Sequence, residues 1–236
     1  MVEVVAIVEG RTEQSFIDQV LAEHLLARGV LVRHLRGGKS GKTHGVAAWE
    51  SAKADILRQL KRGAHCTTMF DFYGLPNDWP GRAEASRLPP AQRAVHVESK
   101  VAAEIAHAVG PRFNPAQFIP YVQLHEFEAL LFAGPHELAT QCALLIDRDE
   151  ETLSGSLRAV VAAGGPEEIN DGQDTHPAAR LLSICPRFKK AVHGVRVAAY
   201  IGIPTLRGCC EHFGHWLAAL ERLGQPAQPA HDRVEE

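Results

Sequence analysis

Apolar positions along this chain fall into short unbroken runs and longer helical periodicities, and the two alternate. Val4-Val5-Ala6-Ile7-Val8 is an uninterrupted, mostly β-branched run, the pattern of a strand covered on both faces. It stops at Glu9. Gly10 follows, then Thr12, which is suited to cap a helix. Phe16, Ile17, Val20, Leu21 and Leu25 then recur at helical spacing. The opening therefore predicts strand, tight turn, helix. Residues 30–35 read as a second strand. Val46, Trp49, Ala52, Ile56, Leu57 and Leu60 predict a helix, with Gly63 just past its end. Residues 66–70 predict a third strand, which ends at Asp71. A helix follows over 91–109, with Val95, Val101, Ile105 and Ala108 turned inward. Residues 118–124 predict another strand, placed by Pro120 at a sheet edge or an irregularity. Beyond it, helical spacing or helix punctuation covers 135–145, 153–163, 177–184, 189–200 and 207–223. Gly164-Gly165-Pro166 and Asn170-Asp171-Gly172 mark the breaks.

Strands alternating with helices predict an α/β fold with a mainly parallel central sheet flanked by helices. The expected division is an α/β core over 1–134, a helical C-terminal region over 135–224 packed on it, and a disordered tail over 225–236. That tail is rich in Pro, Ala and charge and has no apolar pattern.

The acids stand at particular places in this pattern. Glu9 closes the first strand, Asp71 closes the third, and His125-Glu126-Phe127-Glu128 follows the last. Open α/β sheets bind ligands at the carboxyl ends of their strands. Glu13 falls in the first turn of the first helix, near the positive end of its dipole. Carboxylates this close need a counter-cation or raised pKa values. A divalent metal would supply the cation. Each acid also has a structural reading, as a capping acceptor or a surface residue. Glu126 and Glu128 are two apart and do not share a helix face. One of them is expected to point at Glu9, and spacing leaves open which.

Other features are weaker. Gly37 to Thr43 contains a GKT, but Arg36 stands where a phosphate-binding loop needs its first Gly, so a nucleotide-binding loop is the lesser reading. The same segment is basic, with Arg33, Arg36, Lys39 and Lys42. The Pro-Gly loop over 72–81 carries Tyr73, Asp78 and Trp79. Its aromatics either wall a substrate or close the core, and Asp78 either joins the acids or caps a turn. Arg180, Lys189 and Lys190 are phosphate-contact candidates whose plainer reading is solvated surface. Cys209-Cys210-Glu211-His212 with His215 has metal-ligand residue types but no second ligand segment, so it reads as part of a helix.

Bulk properties narrow the classes. The 236 residues carry a formal net charge of -3, with 45% hydrophobic and 22% charged positions. No overall basic field points to nucleic acid. A nuclease of this composition needs a local basic patch or a metal-neutralised acidic site. Glu3 and Glu9 interrupt the N-terminal apolar run, which argues against a signal peptide. No run approaches the roughly 20 apolar residues of a membrane span. Five scattered cysteines fit a reducing, cytoplasmic setting better than a disulfide framework.

Three strand-end acids resemble the Toprim pattern of topoisomerases, primases and overcoming-lysogenization-defect nucleases. Val8-Glu9-Gly10-Arg11-Thr12-Glu13 looks like the V-E-G-x-T-E opening of the nuclease-type members, and Asp71 matches the first Asp of their D-x-D. Glu9 to Phe16, Asp71 to Gly81, His125 to Phe132, Ile201-Gly202 and the stretch from Phe213 to Leu217 together resemble the bacterial "domain of unknown function 4276" family, over nearly the whole chain. The resemblance implies a Toprim-like Rossmannoid core and a magnesium- or manganese-dependent phosphodiesterase, with DNA or RNA as substrate. It also implies a partner ATPase of AAA or ABC type in phage defence, and leaves homo-oligomerisation open. Tyr73 departs from the pattern by replacing the second Asp, and tyrosine is a poor ligand for magnesium.

The reading carried forward is a metal-dependent nuclease. Glu9, Asp71 and one of Glu126 or Glu128 would hold a metal, with Glu13 and Asp78 at a second metal or orienting water. His125 would protonate the leaving oxygen, and Arg11, Lys39, Lys42 and Arg180 would contact the substrate. The alternative is a non-catalytic Toprim-like module that binds an ATPase.

Overall fold

The computed structural model describes residues 1–37, 47–161, 164–169, 172 and 175–225. Its centre is a parallel sheet formed by β1 (Val2–Val8), β2 (Val30–Arg36), β3 (His65–Asp71), β4 (Phe118–Ile119) and β5 (Val122–Gln123). The order is β2-β1-β3-β4, with β5 also paired to β3. Registers set Val8 beside Met69 and Asp71 beside Gln123, so the strands deliver their carboxyl ends to one edge.

Alternation along β1 builds two cores. Val4, Ala6 and Val8 enter one cluster, and Val5 and Ile7 enter the other. The second face is covered by α3 (Trp49–Lys61) and α5 (Pro90–Val109). On α5 the buried stripe is Ala94, Val97, Val101 and Ile105. Of the expected inward residues Val101 and Ile105 are buried; Val95 is exposed because Ala94 takes the inward position, and Ala108 is exposed at the end of the helix. The first face is covered by α1 (Arg11–Phe16), a π-helical turn over Ile17–Leu21, α2 (Ala22–Leu26) and the C-terminal helices.

Those helices are α6 (Glu128–Leu131), α7 (Pro135–Ala143), α8 (Glu150–Val161), α9 (Pro177–Ile184), α10 (Val195–Cys209) and α11 (Glu211–Leu223), with the small α4 (Arg82–Ala85) lying earlier in the chain. Leu138, Leu153, Leu181, Val197, Phe213 and Leu217 bury into the same cluster as Val4. Gly202 takes φ 76°, which a side chain resists, and kinks α10 just past the predicted end at 200. The predicted helix at 207–223 instead starts at Glu211. Cys210 is extended there, and Glu167 accepts from the His212 and Phe213 backbone N–H groups at 2.9 and 3.1 Å. That cap comes from 45 residues away in sequence, out of reach of local pattern.

Pro120 splits the last strand in two. Thr side chains on β3 repair the break. The Thr68 hydroxyl donates to the Tyr121 carbonyl at 2.9 Å and accepts from the Tyr121 N–H at 2.8 Å. The Thr67 hydroxyl donates to the Ile119 carbonyl at 2.6 Å and accepts from the Trp216 indole at 2.7 Å. Trp216 stacks on Tyr121, ring centres 4.4 Å apart. This ties α11 to the far edge of the sheet.

A second difference concerns the first turn. Thr12 is not the cap. Gly10 holds that position and α1 starts at Arg11, because Glu13 reaches back to accept from the Gly10 N–H at 2.9 Å. Lys39 and Lys42, with residues 38–46 around them, lie outside the described residues, as do 226–236 of the expected tail. No helix among the described residues is long and apolar enough to cross a membrane.

Thr68→Val is isosteric but orphans both Tyr121 backbone groups in a buried setting. It is expected to lower unfolding stability by about 2 kcal/mol or more, read as a lower urea midpoint at an unchanged m-value.

Candidate functional site

The sheet edge gathers four carboxylates. Glu9 follows β1 directly. Gly10 then turns the chain so tightly that a Cβ there would stand 3.1 Å from the Glu13 Oε2. Glycine thus lets Glu13 fold back beside Glu9, and Glu13 is buried, 4% exposed. Asp71 ends β3. Glu128 opens α6, also buried.

Glu126 and Glu128 part company, which answers the question spacing left open. Glu126 turns away and accepts from His176 Nδ1 at 2.9 Å and from the Ala178 N–H at 3.1 Å, at the start of α9. Glu128 turns inward and pairs with Lys190, Oε2 to Nζ 3.2 Å. The same ammonium lies 3.7 Å from Asp71 Oδ2. Lys190 thus sits among the acids as their counter-cation.

Electrostatics follow from this enclosure. Burial raises the Asp71 carboxyl well above the usual range; Glu13, Glu9 and Glu128 push it further up and Lys190 opposes them. Burial also raises Glu9, helped by Glu13 and opposed by Lys190 and the Asp71 backbone N–H. Glu128 is raised by burial, with Lys190 pulling it back. Burial alone would lower Lys190; Asp71, Glu128 and Glu13 outweigh it and raise the ammonium's pKa. The site therefore uses both remedies for crowded like charges, a cation and raised carboxyl pKa values.

Of the residues singled out from the sequence, Glu9, Glu13, Asp71 and Glu128 come together. Asp78 does not join them. It is exposed and caps α3, accepting from the Trp49 N–H at 2.9 Å. Trp79 is buried and donates to the Ala47 carbonyl at 3.0 Å, so it closes the core. His125 is buried, its ring stacked on Tyr73 with centres 5.9 Å apart. Arg11 is exposed at the first position of α1. Arg180 donates to the Thr175 carbonyl at 2.7 Å and so braces the approach to α9. His212 pairs with Glu98 at 2.8 Å beneath Tyr121, and Cys210 is buried; that segment is structural.

Lys190 and His176 are the residues that sequence reading underrated. Lys190 read as a solvated lysine. The one available signal was unbalanced acid: carboxylates at several strand ends require a cation from somewhere.

The donor set fits a hard divalent cation, since magnesium and manganese take carboxylate oxygens. One oxygen supports the fit directly: Glu9 Oε2 is buried with no hydrogen-bond partner among the described residues. No three His, Cys, Asp or Glu side chains among the described residues stand at metal-holding spacing. An ion at these acids would compete with the Lys190 ammonium for Asp71 and Glu128.

This is an α/β protein whose carboxylates meet at the carboxyl edge of a parallel sheet. The chain belongs to the family described as "Domain of unknown function (DUF4276)", whose model matches residues 8–221. No curated protein matches it. Among solved structures it is similar to the C-terminal region of the Burkholderia pseudomallei OLD protein, at 13% identity and a TM-score of 0.47, covering 94% of this chain and 98% of that one. It is also similar to the C-terminal region of the Xanthomonas campestris pv. campestris OLD protein, at 14% identity and a TM-score of 0.45, covering 94% and 95%. No activity carries over at such identities.

The raised carboxyl pKa values set a pH dependence. A raised folded-state pKa means that the native protein binds protons more readily than the unfolded chain, so stability falls as pH rises through that folded pKa. Metal-free wild type should lose stability from weakly acid to neutral pH. Glu9→Gln, which removes one of these charges, should raise Tm at neutral pH and flatten that loss. Thermal melts in chelator across the range check both.

Proposed function

We propose that this protein is a divalent-metal-dependent phosphodiesterase acting on nucleic acid. One observation carries the reading: Glu9, Glu13, Asp71 and Glu128 converge at the sheet edge, with a Glu9 oxygen left unpartnered among the described residues. Glu9, Asp71 and Glu128 would hold the ion, with Glu13 beside them. When bound, such an ion polarises a phosphoryl oxygen and lowers the pKa of attacking water.

The chain's own residues do the rest. The Gly10 N–H fixes Glu13, and the end of β3 fixes Asp71. Lys190 is about one-third exposed on its side chain, so its ammonium gives an otherwise acidic crevice one positive contact for a phosphate oxygen. His125 is of the right acid–base type to hand a proton to a leaving oxygen and is held in place by Tyr73. The ATPase partner and phage-defence setting implied by the family resemblance would be the cellular context of this activity, and they rest on that resemblance.

A second reading is favoured by Lys190 itself. An ammonium that already balances the acids suits a non-catalytic module, and Tyr73 in place of a further acid points the same way. Calorimetric titration with manganese separates the two. The phosphodiesterase reading expects saturable binding in wild type, its loss in Glu9→Gln with Asp71→Asn, and loss of manganese-dependent cleavage of DNA or RNA in the same variant. Absence of binding in wild type would turn the assignment to the binding module.

Lys190→Met isolates the exchange. It leaves Asp71 and Glu128 without their cation, so the metal-free protein should unfold about 2 kcal/mol more easily. Manganese should bind it more tightly than wild type, because no ammonium has to leave, and should restore the lost Tm. Weaker manganese binding by this variant would show that Lys190 does not occupy the cation's place.

A further inference from the structure

Beside the acid crevice lies a pocket that the metal chemistry does not use. Its volume is about 190 Å³, and Tyr73, His125, Glu126, His176 and Pro177 line it. Three segments build it. Tyr73 and His125 leave the sheet edge just past Asp71 and Gln123, and His176 and Pro177 open α9 opposite. The Tyr73 and His125 rings are nearly parallel, 20° apart, and Tyr73 is 41% exposed. The Arg93 guanidinium donates to the Tyr73 hydroxyl at 2.7 Å and holds that ring in place. Aromatic faces on one side and a proline on the other suit a flat ring.

The polar end of the pocket is an acceptor. Glu126 Oε2 takes His176 and the Ala178 N–H, while Oε1 makes no hydrogen bond among the described residues. A carboxylate oxygen accepts and does not donate. It therefore suits a base that turns an N–H toward it, the amino groups of adenine, cytosine and guanine or the ring N3–H of thymine. The pocket also lies at the right distance from the acids. Tyr73 is two residues from Asp71, a span of at most about 7 Å of chain, and Glu126 is two from Glu128. A base held there would belong to a nucleotide adjoining the phosphate that meets the carboxylates. Tyr73, which displaces the second acid of the sequence pattern, thereby acquires a use.

We propose that this pocket binds an unpaired nucleobase by stacking on Tyr73 and accepting a base N–H at Glu126, so that the substrate of the crevice is single-stranded nucleic acid. This rests on the phosphodiesterase reading and specifies its substrate. A base within a duplex is stacked and paired, and reaches such a pocket only by extrusion. Stacking on an exposed aromatic is how single strands are held.

The test uses fluorescence anisotropy with the full chain in calcium, on fluorescein-labelled single-stranded oligodeoxyadenylate, oligodeoxythymidylate and a hairpin duplex. Manganese-dependent cleavage of the same probes is measured in parallel. The expected results are tighter binding of both single strands than of the duplex, a loss of about tenfold in Tyr73→Ala, and retention in Tyr73→Phe. Glu126→Ala should weaken binding of both single strands; unaltered melting curves for each variant exclude misfolding. Equal binding of duplex and single strand, or unchanged affinity in Tyr73→Ala, would overturn the pocket. Cleavage by wild type with either of those results would leave the phosphodiesterase reading standing without it. Tyr73-dependent binding with no cleavage in manganese would instead uphold the pocket and refute the catalysis.

Discussion

The Lys190 ammonium, seated among buried carboxylates at the end of a parallel sheet, is the interaction on which this site depends. Glu9, Asp71 and Glu128 are raised toward their neutral forms chiefly by burial, with neighbouring carboxylates adding to it. Without a cation, the crowding would expel the acids or protonate them. With Lys190 at 3.2 Å from Glu128 and 3.7 Å from Asp71, they stay packed at the edge and in register. The lysine comes from a π-helical turn, Lys190–Gly194, leading into α10. The helical region therefore does more than cover the sheet: it delivers the charge that lets the sheet edge remain acidic.

Holding acids together in this way costs stability. A carboxylate with a buried oxygen that has no hydrogen-bond partner among the described residues, as at Glu9, is poorly solvated and is disposed to accept a cation. The ammonium keeps that demand partly met. A divalent ion with more charge and a preference for oxygen would meet it better. The same edge carries, one short step along the chain, the aromatic surface at Tyr73 and His125. The acid crevice and the ring-sized pocket are thus products of one piece of architecture, the carboxyl ends of β3 and β5.

Several features were readable in the sequence because they are local. The apolar run of β1 was readable, as was its stop at Glu9. So was Asp71 at the end of β3, because a two-sided buried strand ending in a carboxylate is written in consecutive residues. Helix 177–184 was placed to the residue by its Pro and its spacing. The family resemblance was readable for the same reason, as its motifs are short and sit at strand ends. Other features were not local. The choice between Glu126 and Glu128 depended on α9 supplying His176 and the Ala178 N–H to one of them. Asp78 went to cap α3, whose N-terminus precedes it by about 30 residues. The start of α11 depended on Glu167.

The sequence by itself determined the alternation of strands and helices, the parallel sheet, and the presence of acids at its carboxyl edge. Those follow from side-chain periodicity and from where each strand stops. Only the tertiary structure decided which acids share a crevice, which cation balances them, and that Tyr73 and Pro177 face a common pocket. Charge neutralisation and pocket closure are pairwise events between segments far apart in the chain. Lys190 and Asp71 are 119 positions apart, and nothing in the local pattern around either residue encodes their meeting.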